Sequence, residues 1–270
     1  MAKMRILITV KTYPTLSGKY DELVCTAGVT ESGDWIRIYP IQFRKLAYVN
    51  QYKKYDWIEI DLVKNTSDFR QESYRPATLE TEPLRIGEAS KDNNWAERKT
   101  AVLKNVYTDL DELIADAKNR DKRTSLAIFK PTRILDFIWE AVDREWDKEK
   151  IAVMNQLSIF EQRGSDFKIV RKLPYKFSYS FEDINGRKSK MMIEDWEVGA
   201  LFWKYPNEKE ACEKVKQKYF DDFAKTKDLH FFLGTTQAFH LQAKNPFMII
   251  GTFHPTFPKP PKIDPQLSLF

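Results

Sequence analysis

Two stretches near the start of the chain alternate strictly between apolar and polar side chains. Residues Trp35 to Pro40 read Trp-Ile-Arg-Ile-Tyr-Pro, and Tyr55 to Val63 read Tyr-Asp-Trp-Ile-Glu-Ile-Asp-Leu-Val. A period of two places alternate side chains on opposite faces of a β-strand. The isoleucines Ile36 and Ile38 are therefore predicted to face the core. The first sixty-odd residues are predicted to form an antiparallel sheet or a partly closed barrel.

The remainder of the chain mixes helical and strand-like patterns. Residues Lys64 to Ala89 are polar and interrupted by proline, which is typical of a long connection. Apolar residues at helical spacing predict one or two helices in Trp95 to Lys118, one in Ile193 to Trp203, and one capped by Asn207 in Glu208 to Lys225. Apolar runs predict strands at Ser125 to Phe129, Pro174 to Phe181, Arg187 to Ile193, Leu229 to Leu233 and Phe247 to Phe253.

These patterns predict an α+β fold and a simple domain organisation. Residues 1–254 are expected to form a single body, with a barrel-like part in residues 1–64 and mixed helices and strands in residues 65–254. Residues 255–270 are expected to form a proline-rich tether that ends in a linear motif.

Composition bounds the class of protein. Apolar residues make up 42% and charged residues 31% of the 270 residues, which is ordinary for a soluble globular protein. A formal charge of +5 is too mild to indicate nucleic-acid binding by itself. The two cysteines lie far apart and provide neither a disulfide framework nor a cysteine-rich zinc site. A cytoplasmic protein without a membrane segment is expected.

Several motif-based enzyme classes find no support in the sequence. It has no glycine-rich phosphate loop, no dinucleotide-binding fingerprint and no serine nucleophile elbow, and it has only 9 glycines in all. No particular cofactor is indicated.

The end of the sequence combines a proline-rich segment with an apolar pentapeptide. The five prolines are Pro255, Pro258, Pro260, Pro261 and Pro265. Such a segment favours an extended spacer, because proline can join neither a central strand nor a helix interior. The last five residues are Gln266, Leu267, Ser268, Leu269 and Phe270. This tip either packs on its own body or serves as a short linear motif for a partner.

The pentapeptide resembles the linear motif by which bacterial replication and repair proteins dock on the DNA polymerase III β sliding clamp. The resemblance implies that Gln266 orients the peptide through hydrogen bonds. It also implies that Leu269 and Phe270 fill an apolar pocket of the clamp. The resemblance covers these five residues and their linker, so it implies a partner and a cellular setting but no chemistry.

An aromatic and basic face is the first candidate for nucleic-acid contact. Trp35, Arg37 and Tyr39 share one face of the alternating strand, and Arg44 and Lys45 follow it. Single-stranded nucleic acid requires this combination, since bases stack on rings while cations neutralise phosphates. Arg70 and Arg75 in the following connection extend the expected phosphate track. An outer sheet face or an aromatic minicore is the structural alternative for the same residues.

Acidic and histidine residues in the second half provide the candidates for catalysis. The histidines His230, His240 and His254 are close in sequence to the helix that holds Asp195 and Glu197. Mixed carboxylates and imidazoles can hold a metal ion and activate water, but no metal-binding spacing is present and no metal ligand is assigned. Glu59, Asp61 and Lys64 faintly resemble the acidic and lysine cluster of restriction-like nucleases, although order and spacing differ. They are expected to be solvated strand residues.

A near copy of the terminal motif lies inside the chain at residues Gln156 to Phe160, which read Gln-Leu-Ser-Ile-Phe. An interior apolar run of this kind is usually part of a core. Two interpretations stay open, core segment and second linear motif.

Three hypotheses about function follow. The first is a bacterial DNA-associated accessory protein of replication, repair or mobile-DNA defence, which is recruited to the sliding clamp by its tail and contacts nucleic acid, preferably single-stranded, with its body. The second is a metal-dependent nuclease or base-modifying enzyme tethered to the clamp. Clustering of Asp195 and Glu197 with a histidine would favour this second hypothesis. The third is a clamp-binding adaptor or inhibitor that does not touch nucleic acid.

Overall fold

The N-terminal strands close into a five-stranded barrel in the computed structural model. The barrel strands are β1 Ala2–Lys11, β3 Asp21–Thr30, β4 Trp35–Ile41, β5 Asp56–Lys64 and β6 Ser73–Pro76. Their order is β1-β3-β4-β6-β5, and β5 pairs back with β1. The β4–β6 pair is parallel and the other pairs are antiparallel. The predicted N-terminal barrel is therefore confirmed and is closed, but it extends past residue 64 because β6 belongs to it.

The structure describes residues 2–17, 21–78, 80–149, 151–152 and 169–258. The terminal pentapeptide and the internal stretch at residues 156–160 both lie outside these residues. The clamp motif and the choice between core and second motif thus stay predictions.

The alternating strands fill the barrel with aliphatic side chains. Ile36 and Ile38 of β4 are buried, as predicted, and so are Ile58 and Ile60 of β5. These residues belong to one apolar cluster with Ile6 and other barrel residues. The period of two thus directs one face of each strand into the barrel.

The stretch between residues 64 and 110 contains more regular structure than the sequence predicts. The expected long connection holds β6 of the barrel and a further strand, β7 Leu84–Glu88, which pairs with β5. Elsewhere in the barrel region, a short strand, β2 Thr15–Ser17, pairs with β3. The predicted helical stretch divides into α1 Asp92–Val102, strand β8 Val106–Tyr107 and α2 Leu110–Lys118. Pairing with distant strands decides these short elements, and local propensity is weak there.

Two antiparallel-rich sheets form the second half of the described chain. One contains β10 Arg133–Ala141, β11 Tyr175–Glu182 and β12 Lys188–Met192. The other has the order β14-β13-β9-β8, with β9 Leu126–Phe129, β13 His230–Thr235 and β14 Phe247–Phe253. Helices cover an aromatic core that includes Phe137, Phe177 and Phe231. Strands β13 and β14, which the apolar runs predict, are almost entirely buried.

The two predicted helices of this half each begin after a capping side chain, and the sequence predicted one of these caps, Asn207. Asp195 caps α3 Trp196–Phe202 by accepting a hydrogen bond from the Glu197 amide, and Asn207 caps α4 Glu208–Lys216 in the same way. Helix α4 continues directly into a π-helix, Gln217–Ala224. The sequence predicts the helix but gives no sign of this change of winding.

The barrel and the second half share an apolar cluster. Leu7 and Val10 of β1 point away from the barrel interior and belong to one cluster with Ile128, Phe232 and Phe253 of the second half. Strand β1 is therefore buried on both faces. The expectation that residues 1–254 form a single body stays a prediction.

Candidate functional site

A pocket of about 370 Å³ lies between the barrel and the helices of the second half. We call it the interface pocket. It is lined by five cationic residues (Lys11, Lys53, Lys54, Lys91 and Arg98), two carboxylates (Glu88 and Glu197) and five rings (Tyr55, Trp95, Trp196, Phe223 and His254). Pockets of this size, with aromatic walls and a few polar groups, are typical ligand sites.

The first wall is built on a residue with an unusual backbone. Tyr55 has a φ of 70°, in the left-handed region that a bulky side chain rarely adopts. Its amide donates to the Ile8 carbonyl at 2.6 Å, and its carbonyl accepts from the Ala89 amide at 2.8 Å. Two hydrogen bonds to neighbouring segments thus hold Tyr55 in this conformation. A strained residue of this kind is found where the surroundings fix it, commonly at functional sites.

The second wall comes from a left-handed turn at the start of α1. Asn93, Asn94 and Trp95 have φ values of 48°, 55° and 62°. The Asn94 side chain donates to the Thr256 carbonyl at 2.8 Å and accepts from the Thr256 amide at 2.8 Å. The turn is thereby fixed to the segment that follows β14. It brings the Trp95 ring to 5.1 Å from the ring of His254.

The third wall comes from the π-helix. Phe223 lies near its end, and its ring stacks on His254 with a centroid separation of 3.6 Å and an interplanar angle of 19°. π-helical turns are rare and occur frequently at functional sites. Three unusual backbone conformations, at Tyr55, at Trp95 and around Phe223, thus surround one pocket.

Arg98 is a buried cation beneath these rings. Its Nε donates to the Ala89 carbonyl at 2.9 Å, and its Nη2 lies 3.0 Å from Glu88 Oε1. The guanidinium lies over the Tyr55 ring at 4.1 Å, in cation–π geometry. These contacts keep a fixed positive charge at the base of the pocket.

Lys54 joins two carboxylates of the second half. Its Nζ lies 3.0 Å from Asp195 Oδ2 and 3.1 Å from Glu197 Oε2. Burial acts against the charge of Lys54, but Asp195 and Glu197 outweigh this effect, so the pKa of Lys54 is raised. Burial likewise acts to raise the pKa of Glu197, but Lys54 lowers it below its ordinary value. Burial raises the pKa of Asp195 to about 6, although Lys54 opposes this effect, so Asp195 is mostly ionised at pH 7 while Lys54 and Glu197 are charged.

Lys11 is a pocket cation whose pKa lies well below its ordinary value. Its Nζ lies 3.9 Å from the ring centre of Phe43 and 4.3 Å from that of Trp196. Burial lowers the pKa of Lys11 to about 8, although Glu197 and Asp195 partly offset the effect. Lys11 therefore carries most of its charge at pH 7 and loses it in mildly alkaline solution.

Within the part of the chain that the structure describes, two polar atoms of the pocket walls have no hydrogen-bond partner. They are the Tyr55 hydroxyl and Nδ1 of His254. Tyr55 is only 6% exposed, and burial raises its pKa, so the hydroxyl stays protonated and can donate. Burial, aided by Lys54, lowers the pKa of His254 to about 3, so the imidazole is neutral. Buried polar groups are almost always paired in proteins, so two unpaired ones in one pocket point to a missing ligand.

The comparison with known domain families can now be made. Residues 106–270 match the model of a domain of unknown function, DUF8757. The chain belongs to the DUF8757 family. Residues 2–104 match a second domain of unknown function, DUF8758. The DUF8758 region supplies the pocket residues up to Arg98, and the DUF8757 region supplies Trp196, Glu197, Phe223 and His254.

Other comparisons add little. No curated protein matches the chain. A solved structure described as murine DNA binding protein bound with ds DNA aligns over 96% of this chain and 98% of its own, with 10% identity and a TM-score of 0.32. A likeness of this degree carries no argument. Within the described residues, no helix is long and apolar enough to span a membrane.

Two of the predicted nucleic-acid contacts are structural residues. Arg37 is 2% exposed and donates from Nη1 to Ser125 Oγ at 2.7 Å and from Nη2 to the Ser125 carbonyl at 3.1 Å. Arg70 is also buried, and it bonds to Asp68 and to the Thr235 carbonyl. The expectation that Arg37 and Arg70 contact phosphates is thus wrong. The strand face opposite the isoleucines packs on the second half of the chain, whereas alternation alone suggested solvent.

The other predicted contacts do not form one surface with these two. Trp35 is half-buried against Phe232, with ring centres 5.9 Å apart, whereas Tyr39 is exposed. Arg44 pairs with Glu22 at 2.6 Å. Lys45 and Arg75 line a separate cleft of about 390 Å³ beside β4 and β5. A role in nucleic-acid binding for Trp35, Tyr39, Arg44, Lys45 and Arg75 stays a prediction.

The acidic and histidine candidates are only partly brought together. Glu197 and His254 line the same pocket, and Asp195 is linked to Glu197 through Lys54. His240 instead lies between Thr235 and the Ala117 carbonyl, and His230 contacts the Asp228 carbonyl. Among the residues that the structure describes, no group of three or more histidine, cysteine or acidic residues could hold a metal ion.

The remaining acidic residues match their expected role as solvated strand residues. Glu59 lies 3.6 Å from Arg5 and 4.0 Å from Lys3 in surface ion pairs on adjacent strands. Asp61 faces the same side of β5 and is also partly exposed. Neither residue lines the interface pocket.

Sequence reasoning missed most of the interface pocket. Lys11, Lys54, Tyr55 and Arg98 come from separate segments of the DUF8758 region, and no spacing connects them. One usable signal is the pair Asn93-Asn94 directly before Trp95, since asparagine tolerates the left-handed conformation better than most residues.

Proposed function

We propose that this protein is a bacterial DNA-associated accessory protein that is recruited to the β sliding clamp by residues 266–270 and contacts nucleic acid with its body. The observation that carries the nucleic-acid part is the interface pocket, which combines five cations with five rings. Cations neutralise phosphates and rings pack against bases, a combination used by proteins that bind single strands. The interface pocket thus takes the place of the strand face with Arg37 as the proposed contact for nucleic acid.

The recruitment part rests on the sequence of the tail. All five terminal positions fit the clamp-binding pattern, and five prolines precede them. The described backbone leaves the last strand, β14, at Phe253, shortly before this segment. A tether of this composition would present the peptide away from the body.

A binding titration against purified sliding clamp tests recruitment. The full chain should bind, and Leu269→Ala with Phe270→Ala should abolish binding without changing the melting temperature. The matched control is Ile159→Ala with Phe160→Ala in the internal copy, which should leave clamp affinity unchanged. Equal clamp binding by the tail variant and the unmodified chain would refute recruitment through the tail.

Charge reversal at the rim of the interface pocket tests nucleic-acid contact. Lys53 and Lys91 are exposed at this rim. Lys53→Glu with Lys91→Glu should weaken binding of a fluorescent single-stranded oligonucleotide, measured by anisotropy. Lys188→Glu, at an exposed lysine of β12, should have little effect. Loss of binding only in a variant of the Lys45 and Arg75 cleft would place the contact there instead. No binding by the unmodified chain would favour the adaptor hypothesis.

A base-modifying enzyme is the second candidate function. The observation that favours it is that Glu197 and His254 line one pocket and that Lys54 links Asp195 to Glu197. An ionised carboxylate and an amine of lowered pKa, at Glu197 and Lys11, are groups that can accept a proton or attack a carbon. Mass spectrometry of oligonucleotides incubated with the protein and with Glu197→Gln tests this candidate. Unchanged masses across all four bases would contradict it.

A further inference from the structure

We infer that the interface pocket receives one nucleotide that has left the base stack of a DNA strand, with its base among the buried rings and its phosphates at the exposed lysines. This inference rests on the proposed function and deepens it. The body would then hold DNA by extruding and inspecting a single base, in addition to any contact with the backbone.

The dimensions and walls of the pocket fit one nucleotide. At about 370 Å³ it lies near the lower end of the 300–1,000 Å³ that ligand pockets typically span. A run of stacked bases requires an open groove, whereas Tyr55 and Phe223 at the base of this pocket are buried. Proteins that take a base out of the stack hold it in a fitted pocket between aromatic or apolar side chains.

Charge is distributed so that the phosphates would stay at the rim. Lys53 and Lys91 are exposed, whereas Lys54 and Arg98 are buried and already paired with carboxylates. The buried cations are therefore engaged with protein groups, and the exposed ones are placed where a strand could pass. An uncharged base would enter deeper than its phosphates.

The unpaired polar atoms supply hydrogen bonds for the edge of a base. The Tyr55 hydroxyl can donate, and the neutral His254 ring can donate or accept at Nδ1. Both rings lie near Trp95, with ring centres 5.7 Å and 5.1 Å from it. A water molecule could satisfy one of these atoms, but two in an aromatic pocket match the multiple polar positions of a base edge.

Glu197 gives the pocket a preference among bases. Its carboxylate is ionised and accepts hydrogen bonds but cannot donate them. Cytosine, adenine and guanine carry an exocyclic amino group that donates, whereas thymine carries none. The pocket should therefore favour a base with an amino group over thymine.

The backbone around the pocket is organised before any ligand arrives. The conformation of Tyr55 is fixed by Ile8 and Ala89, and the turn at Trp95 is fixed by hydrogen bonds from Asn94 to Thr256. Left-handed residues of this type are strained and persist only where the surrounding structure fixes them. A preformed pocket lowers the entropy lost on binding, which is a benefit if the ligand itself must be unstacked.

Binding to matched ligands tests the inference. The ligands are a duplex, the same duplex with one central mismatch, oligocytidine and oligothymidine of equal length, and free deoxycytidine monophosphate. Extrusion is easier at a mismatch, so the protein should bind the mismatched duplex several-fold more tightly than the paired one. It should also prefer oligocytidine to oligothymidine.

Two single-atom variants connect these preferences to the pocket. Tyr55→Phe removes only the unpaired hydroxyl and should reduce the mismatch preference by roughly 2- to 10-fold, the size expected for one hydrogen bond. Its melting temperature should stay equal or rise, because a buried unpaired polar group is lost. Glu197→Gln should narrow the preference for oligocytidine, because an amide can also donate to thymine. Lys188→Ala, at an exposed lysine of β12 outside the interface pocket, is the matched control and should preserve both preferences.

The other possible results overturn base extrusion alone or base extrusion together with the proposed function. Equal binding to paired and mismatched duplexes, with oligonucleotide binding retained, would overturn base extrusion and leave the proposed function standing. Binding of free deoxycytidine monophosphate alone, weakened by Tyr55→Phe, would overturn both and indicate a free nucleotide as the ligand. No binding to any of these ligands would overturn both as well. If Tyr55→Phe fails to fold, Phe223→Leu at the stacked ring provides the same comparison.

Discussion

Replacement of Lys54 by methionine tests the ionic contact that connects the barrel to the second half. The Lys54 side chain is 5% exposed and that of Asp195 is fully buried, and they are 3.0 Å apart. Methionine retains most of the stem but leaves the Asp195 carboxylate buried without its partner. Breaking a buried ion pair from one side costs about 3–5 kcal/mol. For a chain of this size, that is a decrease in melting temperature of roughly 6–20 °C.

The assay is urea unfolding followed by tryptophan fluorescence and circular dichroism. The double variant Lys54→Met with Asp195→Asn removes both charges and retains an oxygen that can cap α3. It should therefore recover much of the lost stability. The deficit of Lys54→Met should also shrink in acid, where protonation of Asp195 removes the unpaired charge. A Lys54→Met variant within about 1 kcal/mol of the unmodified chain, a value small for a buried pair, would refute this reasoning, as would a double variant less stable than the single one.

Three further predictions concern other contacts. Arg37→Ala should lower stability by at least about 2 kcal/mol, because a buried charged donor is lost, and should leave the salt dependence of DNA binding unchanged; anisotropy and urea unfolding measure the two effects. The free energy of unfolding of the unmodified chain, relative to that of Lys11→Met, should rise between pH 8 and 10.5. The pKa of Lys11 is lowered from 10.5 to about 8 in the folded state, so the unfolded state binds more protons in this range. Thermal melts of both proteins measure this difference, and a difference that does not change with pH would contradict the prediction. Asn94→Ala should destabilise the protein by roughly 1–3 kcal/mol, because alanine tolerates the left-handed turn poorly. An unchanged unfolding midpoint would show that the hydrogen bonds between Asn94 and Thr256 contribute little to stability.

The barrel could be predicted from sequence because its signal is local. Alternation in β4 and β5 determines which side chains enter the interior, and the buried isoleucines Ile36 and Ile38 confirm it. The cap at Asn207 was predicted from an equally local signal, since a side-chain oxygen before an amphipathic run satisfies free amides at a helix start.

Contacts between distant segments could not be predicted in the same way. The face that carries Arg37 alternates with the isoleucines, which suggests solvent, but a second layer covers it and pairs the guanidinium with Ser125. Strand β1 shows the same effect, since both of its faces are buried. A periodic pattern shows that a strand has two faces, and only the packing of other elements shows whether the polar face is also covered.

The candidate site could be predicted from the sequence only in part. The sequence indicated Glu197 and His254 as candidates by residue type, and the structure brings both to one pocket. It gave no sign of Tyr55, and its one signal for the turn at Trp95 is the preceding Asn93-Asn94 pair, because both conformations depend on hydrogen bonds to residues far along the chain. The sequence also gave no sign of the π-helix around Phe223, because its apolar residues fit an ordinary α-helix equally well.

The salt dependence of single-strand binding tests the central claim most directly. If Lys53 and Lys91 each neutralise one phosphate, the double alanine variant should have a shallower plot of log association constant against log salt. Its slope should be smaller in magnitude by about 1.4, at roughly 0.7 for each contact with a single strand. The Lys188→Ala control should retain the full slope. A slope unchanged by the double substitution would contradict the assignment of the interface pocket as the nucleic-acid site.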